Sequence, residues 1–353
     1  MPGPEPRLHL RYREWPATDR LLWERAFASD DPFADAAGAH LAKASRHSYL
    51  FAWRRFLGFL AISEPDALEV APHERLTIER VRSFVTHLAE SNIARSVANQ
   101  VHMLYLAAGM MMPECDWTWL KGVKTRLFAA APAPALTGPV ITSLQLLDLG
   151  QQLMDESRPA PDTPISMDDA IRYRDGLMIA LAAFIPIRRK NLAALEIGRH
   201  LVREGDRWFV VVAGEETKTG RSLDYPVPEL LESYLATYLN VIRPQMRPHP
   251  TCAALWLHSR GGSLAYAAIG DIFSRHSTSR LGFRVTPHDA RDAAATTWAI
   301  SVPDQIGVAR DLLAHSDLRT TIKYYNRARG IEASRAYRDV IAGMRRKQNR
   351  RGR

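Results

Sequence analysis

Residues 286–299 read TPHDARDAAATTWA, and after a short break residues 312–325 read LLAHSDLRTTIKYY. The first stretch has the features of a helix start. Thr286 suits the N-cap, and Pro287 suits the first helical position, where a missing N–H costs nothing. His288 and Arg291 then fall at i and i+3 on one face of the opening turn. A helix N-terminus favours an anion, and both side chains can donate hydrogen bonds to one. An isolated HxxR also fits an ordinary helix surface, so the pair gains weight only from its neighbours. In the second stretch His315 is followed nine residues later by Tyr324, with Thr320 and Thr321 offering a helix cap between them. Tyr325 would point about 100° away from Tyr324 on a helix.

Working outward, residues 173–195 read YRDGLMIALAAFIPIRRKNLAAL. Ser166 with Asp169 forms a capping-box pattern that opens a helix through Leu177, Met178, Leu181 and Phe184. That helix must stop near Pro186-Ile187-Arg188. Its apolar run, Leu177 to Ile187, is the longest in the chain and far short of the ~20 residues that span a bilayer. Trp208 to Val212 carries the strongest strand signal, Glu215 to Gly220 is turn-like, and Tyr225 to Val227 returns as a second strand. Helical patterns dominate from Leu230 onward, and Thr142 with Gln145 forms a second capping box before Leu144, Leu146 and Leu147. The chain is therefore expected to be mainly α with a small hairpin-based sheet, not the alternating βαβ of a nucleotide-binding fold.

The N-terminal half is patterned as helices alone. Tyr49, Trp53, Phe56, Leu57 and Leu60 share one helix face. Ile78, Val81, Phe84, Val85 and Leu88 repeat the pattern behind Thr77, a suitable N-cap. Val97, Val101, Leu104, Tyr105 and Ala108 follow Ser96, and a fourth helix starting at Asp116 buries Trp117, Leu120 and Val123. These stripes define a helical domain over 41–130. Residues 1–40 read as a loosely packed arm with one short apolar helix candidate (Leu21, Leu22, Trp23, Phe27). Residues 131–141 form a Pro-rich linker within AAAPAPALTGPVIT (129–142), and a second domain covers 142–345. The terminal run RRKQNRRGR holds six basic residues and no acid, and 346–353 is read as a basic tail.

Composition narrows the function classes. The 353 residues are 46% hydrophobic and 24% charged, ample for a core, with 47 Lys and Arg against 38 Asp and Glu, a net charge of +9. That balance favours a polyanionic partner, nucleic acid being the commonest. Cys115 and Cys252 are too few for a disulfide framework and form no CxxC pair, so a reducing compartment is expected. The opening MPGPEPRLHLRYREW has no apolar segment of the signal-peptide kind, and the reading is of a cytosolic protein. There is no GxxxxGK[ST], no GxGxxG after a strand, no HExxH and no GxSxG, which argues against nucleotide-driven motors and zinc hydrolases.

Taken together, TPHDAR and LLAHSDLRTTIKYY resemble the C-terminal signature of the tyrosine recombinase (phage integrase) family: a histidine, two residues, an arginine, then LGH, then a tyrosine nine residues on. PIRRKNLAAL resembles the family's first-arginine segment, in which an apolar helix ends in Gly-Leu-Arg. The arginine is carried over onto Arg188, although Arg189 beside it also fits by residue type. TKTG in GEETKTGRSLDYPVP resembles the hairpin turn bearing the family's lysine, here Lys218. The resemblance covers about 140–345. More weakly, 41–130 resembles the family's SAM-like core-binding domain, whose candidate DNA-binding cations are Arg46, Arg54, Arg55, Arg95, Lys121 and Lys124. The sequence departs from the family at three places. Asn191 replaces the usual acidic residue three after the first arginine, Leu313-Ala314-His315 replaces LGH, and Asp292 follows the second arginine where histidine is common.

The resemblance implies six catalytic residues: Arg188, Lys218, His288, Arg291, His315 and the nucleophile Tyr324. Arginine forks suit the charge-rich non-bridging oxygens of a phosphodiester transition state, and Lys218 suits protonation of the departing 5′-oxygen. No cofactor, ATP or metal is called for, because a 3′-phosphotyrosyl bond conserves the energy of the bond broken. The expected partners are double-stranded DNA with inverted-repeat sites and further copies of the chain in a synaptic tetramer, with no membrane. An apolar face over Ile331, Ala333, Tyr337, Val340, Ile341 and Met344 is the element expected to dock on a neighbouring protomer. The leading function is site-specific recombination or integration for a mobile element, in a bacterial, nucleoid-associated setting. Type IB topoisomerase-like relaxation and an architectural DNA-binding role are the alternatives.

Overall fold

A computed structural model of the chain describes residues 9–27, 36–131, 139–160 and 164–302, with isolated positions 307, 308, 313 and 322. His315, Tyr324 and the apolar face at 331–344 lie outside the described residues. The chain divides into two compact units, Met1–Thr137 and Gly138–Arg353.

The described part of the first unit is helical: α1 (Ala17–Phe27), α2 (Lys43–Ser63), α3 (Pro72–Arg75), α4 (Ile78–Ala89), α5 (Ala94–Met111) and α6 (Thr118–Ala130). The expected stripes make its core. All five apolar residues of the α2 stripe are buried, as are Val81, Phe84 and Leu88 of α4 and Val97, Val101, Leu104 and Ala108 of α5. Thr77 caps α4 by accepting from the Arg80 N–H. Two details differ. Ile78, at the start of its stripe, is 47% exposed, and α5 begins two residues ahead of Ser96.

The reading of residues 1–40 as a loose arm is corrected over its described part. Trp15, Trp23 and Phe27 are buried in the same core as Trp53 and Phe56, whereas Leu21 faces outward. A buried ion pair locks this in. The Asp19 carboxylate, wholly inside, accepts from Arg75 at 2.7 Å and from the Trp53 indole N–H at 2.9 Å. Arg75 also donates to the carbonyls of Ala67, Leu68 and Val70. A buried carboxylate persists only when paired in this way, and the pairing ties α1 to α2 and α3.

In the second unit, α7 (Ser143–Glu156) and α8 (Met167–Phe184) pack along each other, followed by α9 (Arg189–Ala193). Thr142 and Gln145 form the expected reciprocal cap on α7. The contact between α7 and α8 is close because Gly150 and Gly176 face one another: a Cβ on Gly176 would lie 2.6 Å from the Gly150 carbonyl oxygen. The sheet is antiparallel with order β1 (Leu201–Glu204), β2 (Arg207–Val212), β3 (Leu223–Pro226), in register Leu201↔Val210 and Val210↔Tyr225. The expected hairpin is β2–β3; β1 joins it as a third strand across a Gly205-Asp206 turn. Then come α10 (Glu229–Thr237), a π-helical turn at Tyr238–Ile242, α11 (Arg243–Gln245), α12 (Tyr266–Leu281) and α13 (Pro287–Ser301). Among the described residues no helix is long and apolar enough to cross a membrane.

Candidate functional site

The expected helix start at 286 is built as read, with an added clasp. Asp289 N–H donates to Thr286 Oγ1 at 3.3 Å, while the Asp289 carboxylate accepts from the Thr286 N–H at 2.7 Å. With Pro287 at the first position, α13 is pinned where the chain enters it. His288 projects outward, 3.9 Å from Asp292 one turn on. Arg291, three residues on, is only 6% exposed. Its guanidinium donates to the carbonyl of Pro186 and, at 2.6 Å, to that of Leu313. Arg291 thereby stitches α13 to the Pro186-Ile187-Arg188 turn that follows α8.

Arg188 stands at the N-cap position of α9 and is half-buried. Burial pulls its guanidinium below the ordinary arginine value, and the neighbouring Tyr225 phenol opposes this. Tyr225, on β3, is itself pushed up by burial and pulled back by the charges of Arg291 and Arg188. These three side chains therefore share one electrostatic neighbourhood. Arg189 differs: its guanidinium lies 4.0 Å over the ring of Tyr266 at the start of α12, a cation–π stack. Lys218 is exposed on the turn between β2 and β3, where Gly220 supplies the positive φ that lets the chain reverse.

A cavity of about 640 Å³ brings these groups together. Arg188, Lys218, His288 and Arg291 all line it, joined by Arg189, Lys190 and Tyr266. Four of the six residues expected at the site thus meet in one concavity, although Arg188 and Arg291 are 103 positions apart in the chain. Among the described residues lining it, none is acidic. Five cationic side chains around one hollow repel each other in water, and an anion inside it relieves that repulsion. Guanidinium forks favour a phosphate-like oxyanion in particular.

Asn191, standing where a carboxylate would be usual, is turned toward the β2–β3 turn. Its buried amide Nδ2 donates to the Glu216 carbonyl at 3.2 Å, just ahead of Lys218. Glu216 also gathers His200 and Arg199 on its carboxylate. Tyr225, Tyr266, His200 and Glu216 had no local sequence signal. Each is a single polar or aromatic residue whose partners come from other elements. Among the described residues, no group of three or more His, Cys, Asp or Glu is placed to hold a metal ion.

The candidate DNA-binding cations of the first unit divide. Arg46 is turned inward, donating to the carbonyls of Leu41, Phe27 and Ala39 at 3.0, 2.8 and 2.5 Å. Those three acceptors crowd where the chain enters α2, and a guanidinium fork meets them all. Arg54 donates to the Leu10 carbonyl. Arg95 donates to that of Ala131 and lies 4.5 Å over the Phe128 ring. Burial lowers the Arg55 value, and Lys124 lies 5.8 Å over Tyr105. Lys121 is exposed.

The sequence model of the phage integrase family matches residues 151–330, slightly more than half the chain. Tyrosine recombinase XerD of Staphylococcus epidermidis is 29% identical over 153 residues, 43% of this chain and 50% of the relative. XerD of Staphylococcus aureus is 28% identical over 172 residues, 48% of this chain and 56% of the relative. The chain thus spans about half the length of the curated relatives it matches. Among solved structures, the XerH site-specific recombinase bound to difH substrate, in a pre-cleavage complex, superposes with a TM-score of 0.55 at 15% identity. That match covers 80% of this chain and 76% of the other. The post-cleavage complex of XerH on palindromic difH gives 0.53 at 13% identity, and both show a shared fold. With the family model, the relatives and the fold in agreement, this chain belongs to the phage integrase family, the tyrosine recombinases.

Proposed function

We propose that the chain is a site-specific DNA recombinase that breaks and rejoins strands through a 3′-phosphotyrosyl intermediate on Tyr324. The observation that carries this reading is the cationic cavity holding Arg188, Lys218, His288 and Arg291 with no described acid in its lining. A scissile phosphodiester seated there meets two guanidinium groups and two further donors. As the Tyr324 oxygen attacks phosphorus, the P–O5′ bond breaks and charge builds on the non-bridging oxygens. Arg188 and Arg291 stabilise that charge more than they stabilise the ground state. Lys218 gives a proton to the departing 5′-oxygen, and a histidine, His315 or His288, takes the proton of the phenol. One P–O bond forms for one broken, so attack by a 5′-hydroxyl of a new strand reverses the step without ATP or metal. The substrate is duplex DNA with inverted-repeat sites, exchanged within a synaptic tetramer of this chain, in the service of a mobile element.

A nicked suicide duplex tests this. Once cleaved, it loses the 5′-hydroxyl strand by diffusion and traps the adduct. The expected result is a covalent protein–DNA band that Tyr324→Phe abolishes and Tyr325→Phe leaves in place. A band that survives Tyr324→Phe and disappears in Tyr325→Phe overturns the assignment.

A further inference from the structure

Lys218 sits on an exposed turn, yet a general acid contributes only when held within reach of the leaving oxygen. What holds this turn is Glu216, two residues earlier. Its carbonyl accepts from Asn191 Nδ2 at 3.2 Å, and its carboxylate meets His200 Nε2 at 3.2 and 3.3 Å and the Arg199 guanidinium at 2.7 Å. Thr217 Oγ1 lies 3.0 Å from the carbonyls of both Gly214 and Arg221, closing the turn on itself. The turn is therefore internally tied, and Glu216 is its attachment to the scaffold.

His200 is the buried half of that attachment, 4% exposed just before β1, whereas the Arg199 side chain is largely in water. His200 Nδ1 accepts from the Glu196 N–H at 3.1 Å, so Nε2 is the nitrogen that carries a hydrogen toward Glu216. Burial works against the Glu216 charge, but the hydrogen bond from His200, with the charge of Arg199, holds its carboxyl below the ordinary glutamate range. A buried imidazole committed on both nitrogens has no part in the chemistry described above. Asn191, the other holder, lies three residues after Arg188 on α9.

We propose that His200 is a positioning residue: through Glu216, with Asn191, it fixes the Lys218 turn relative to Arg188. The family's usual carboxylate at 191 is replaced by an amide that grips the turn's backbone, and His200 grips its side chain. This rests on the strand-cleavage reading of the site.

The test compares two suicide duplexes, one ordinary and one with sulfur in place of the bridging 5′-oxygen at the scissile phosphate. A thiolate leaves without a proton, so a misplaced or absent general acid no longer matters. On the ordinary duplex His200→Leu should slow single-turnover adduct formation about tenfold to a hundredfold, within the range a general acid supplies. On the sulfur duplex the variant should return to within a few-fold of the wild type, as Lys218→Ala should. His200→Leu combined with Lys218→Ala should be no slower than Lys218→Ala alone. Should His200→Leu fail to fold, Glu216→Gln carries the same comparison. Equal slowing on both duplexes, or wild-type speed on the ordinary one, overturns the positioning role while leaving the cleavage reading intact. A wild-type protein that forms no tyrosyl adduct on either duplex overturns both.

Discussion

Alanine in place of Gly176 should destabilise the second unit, whereas alanine in place of Gly109 should stabilise the first. Both glycines are helical, and on helix propensity alone each substitution gains up to about 1 kcal/mol. The surroundings reverse one sign. A Cβ at 176 would lie 2.6 Å from the Gly150 carbonyl oxygen, 2.9 Å from Leu153 Cβ and 3.0 Å from Met154 Cγ. The first of these is backbone in a helix and cannot swing aside, so α7 and α8 must separate. Overpacking of this kind costs about 1–3 kcal/mol or more, exceeding the propensity gain by up to about 2 kcal/mol. At 109 a Cβ meets nothing within 4 Å, and the gain stands alone. For a unit of this size each kcal/mol moves Tm by about 2–4 °C. Thermal unfolding of the full chain should show Gly176→Ala melting several degrees lower and Gly109→Ala slightly higher. Because α8 leads into the turn that Arg291 clasps at Pro186, cleavage by Gly176→Ala should fall as well. A Gly176→Ala protein as stable as the wild type would show that the two helices do not depend on this close approach.

Arg75→Met should cost about 3–5 kcal/mol by orphaning the buried Asp19 carboxylate, and adding Asp19→Asn should recover part of that loss in denaturant unfolding. Additive effects would mean the pair is not coupled. DNA affinity should fall linearly on a log–log plot as salt is raised, and adduct formation should persist in EDTA. Cleavage that stops with chelator and returns with Mg²⁺ would count against the tyrosine mechanism. The Glu216 carboxyl, held low when folded, stabilises the protein above the ordinary glutamate range and loses that effect as pH falls through its folded value. The Tm gap between wild type and Glu216→Gln should therefore be open at neutral pH and close as the pH drops below about 4.5. A gap that widens in acid would refute this sign.

Much of the fold is legible because its signals are local. The α2 stripe, the Thr142 and Thr286 capping boxes and the β2–β3 hairpin each depend on residues within a few positions of one another. The parts that escape depend on distance. Asp19 and Arg75 are 56 residues apart, and each alone reads as solvated charge, so the N-terminal segment looks like an arm. Only their meeting under Trp53 makes the segment part of a core. Strand β1 escapes for a different reason: with four residues, of which Arg203 and Glu204 face water, it offers too short an alternation to register.

The candidate site follows the same division with one twist. Arg188, Lys218, His288 and Arg291 were found by the order of short motifs, and they converge because α8, the β2–β3 turn and α13 end at one cavity. Motif order, however, says nothing about which cations are already occupied. Arg46 and Arg291 look alike in sequence, and both turn out to donate to backbone carbonyls. They differ in place: Arg46 braces the entry to a helix, whereas Arg291 spends its bonds on the turn that carries Arg188 and lines the cavity with it. One set of bonds thus fixes both guanidinium groups before any anion arrives. Asn191 and His200 do for Lys218 what Arg291 does for Arg188. In the proposed reaction Arg188 and Lys218 are held through a neighbour's backbone or side chain, so their own donors can be directed at the ligand, and such preorganisation lowers the cost of assembling the site at the moment of reaction.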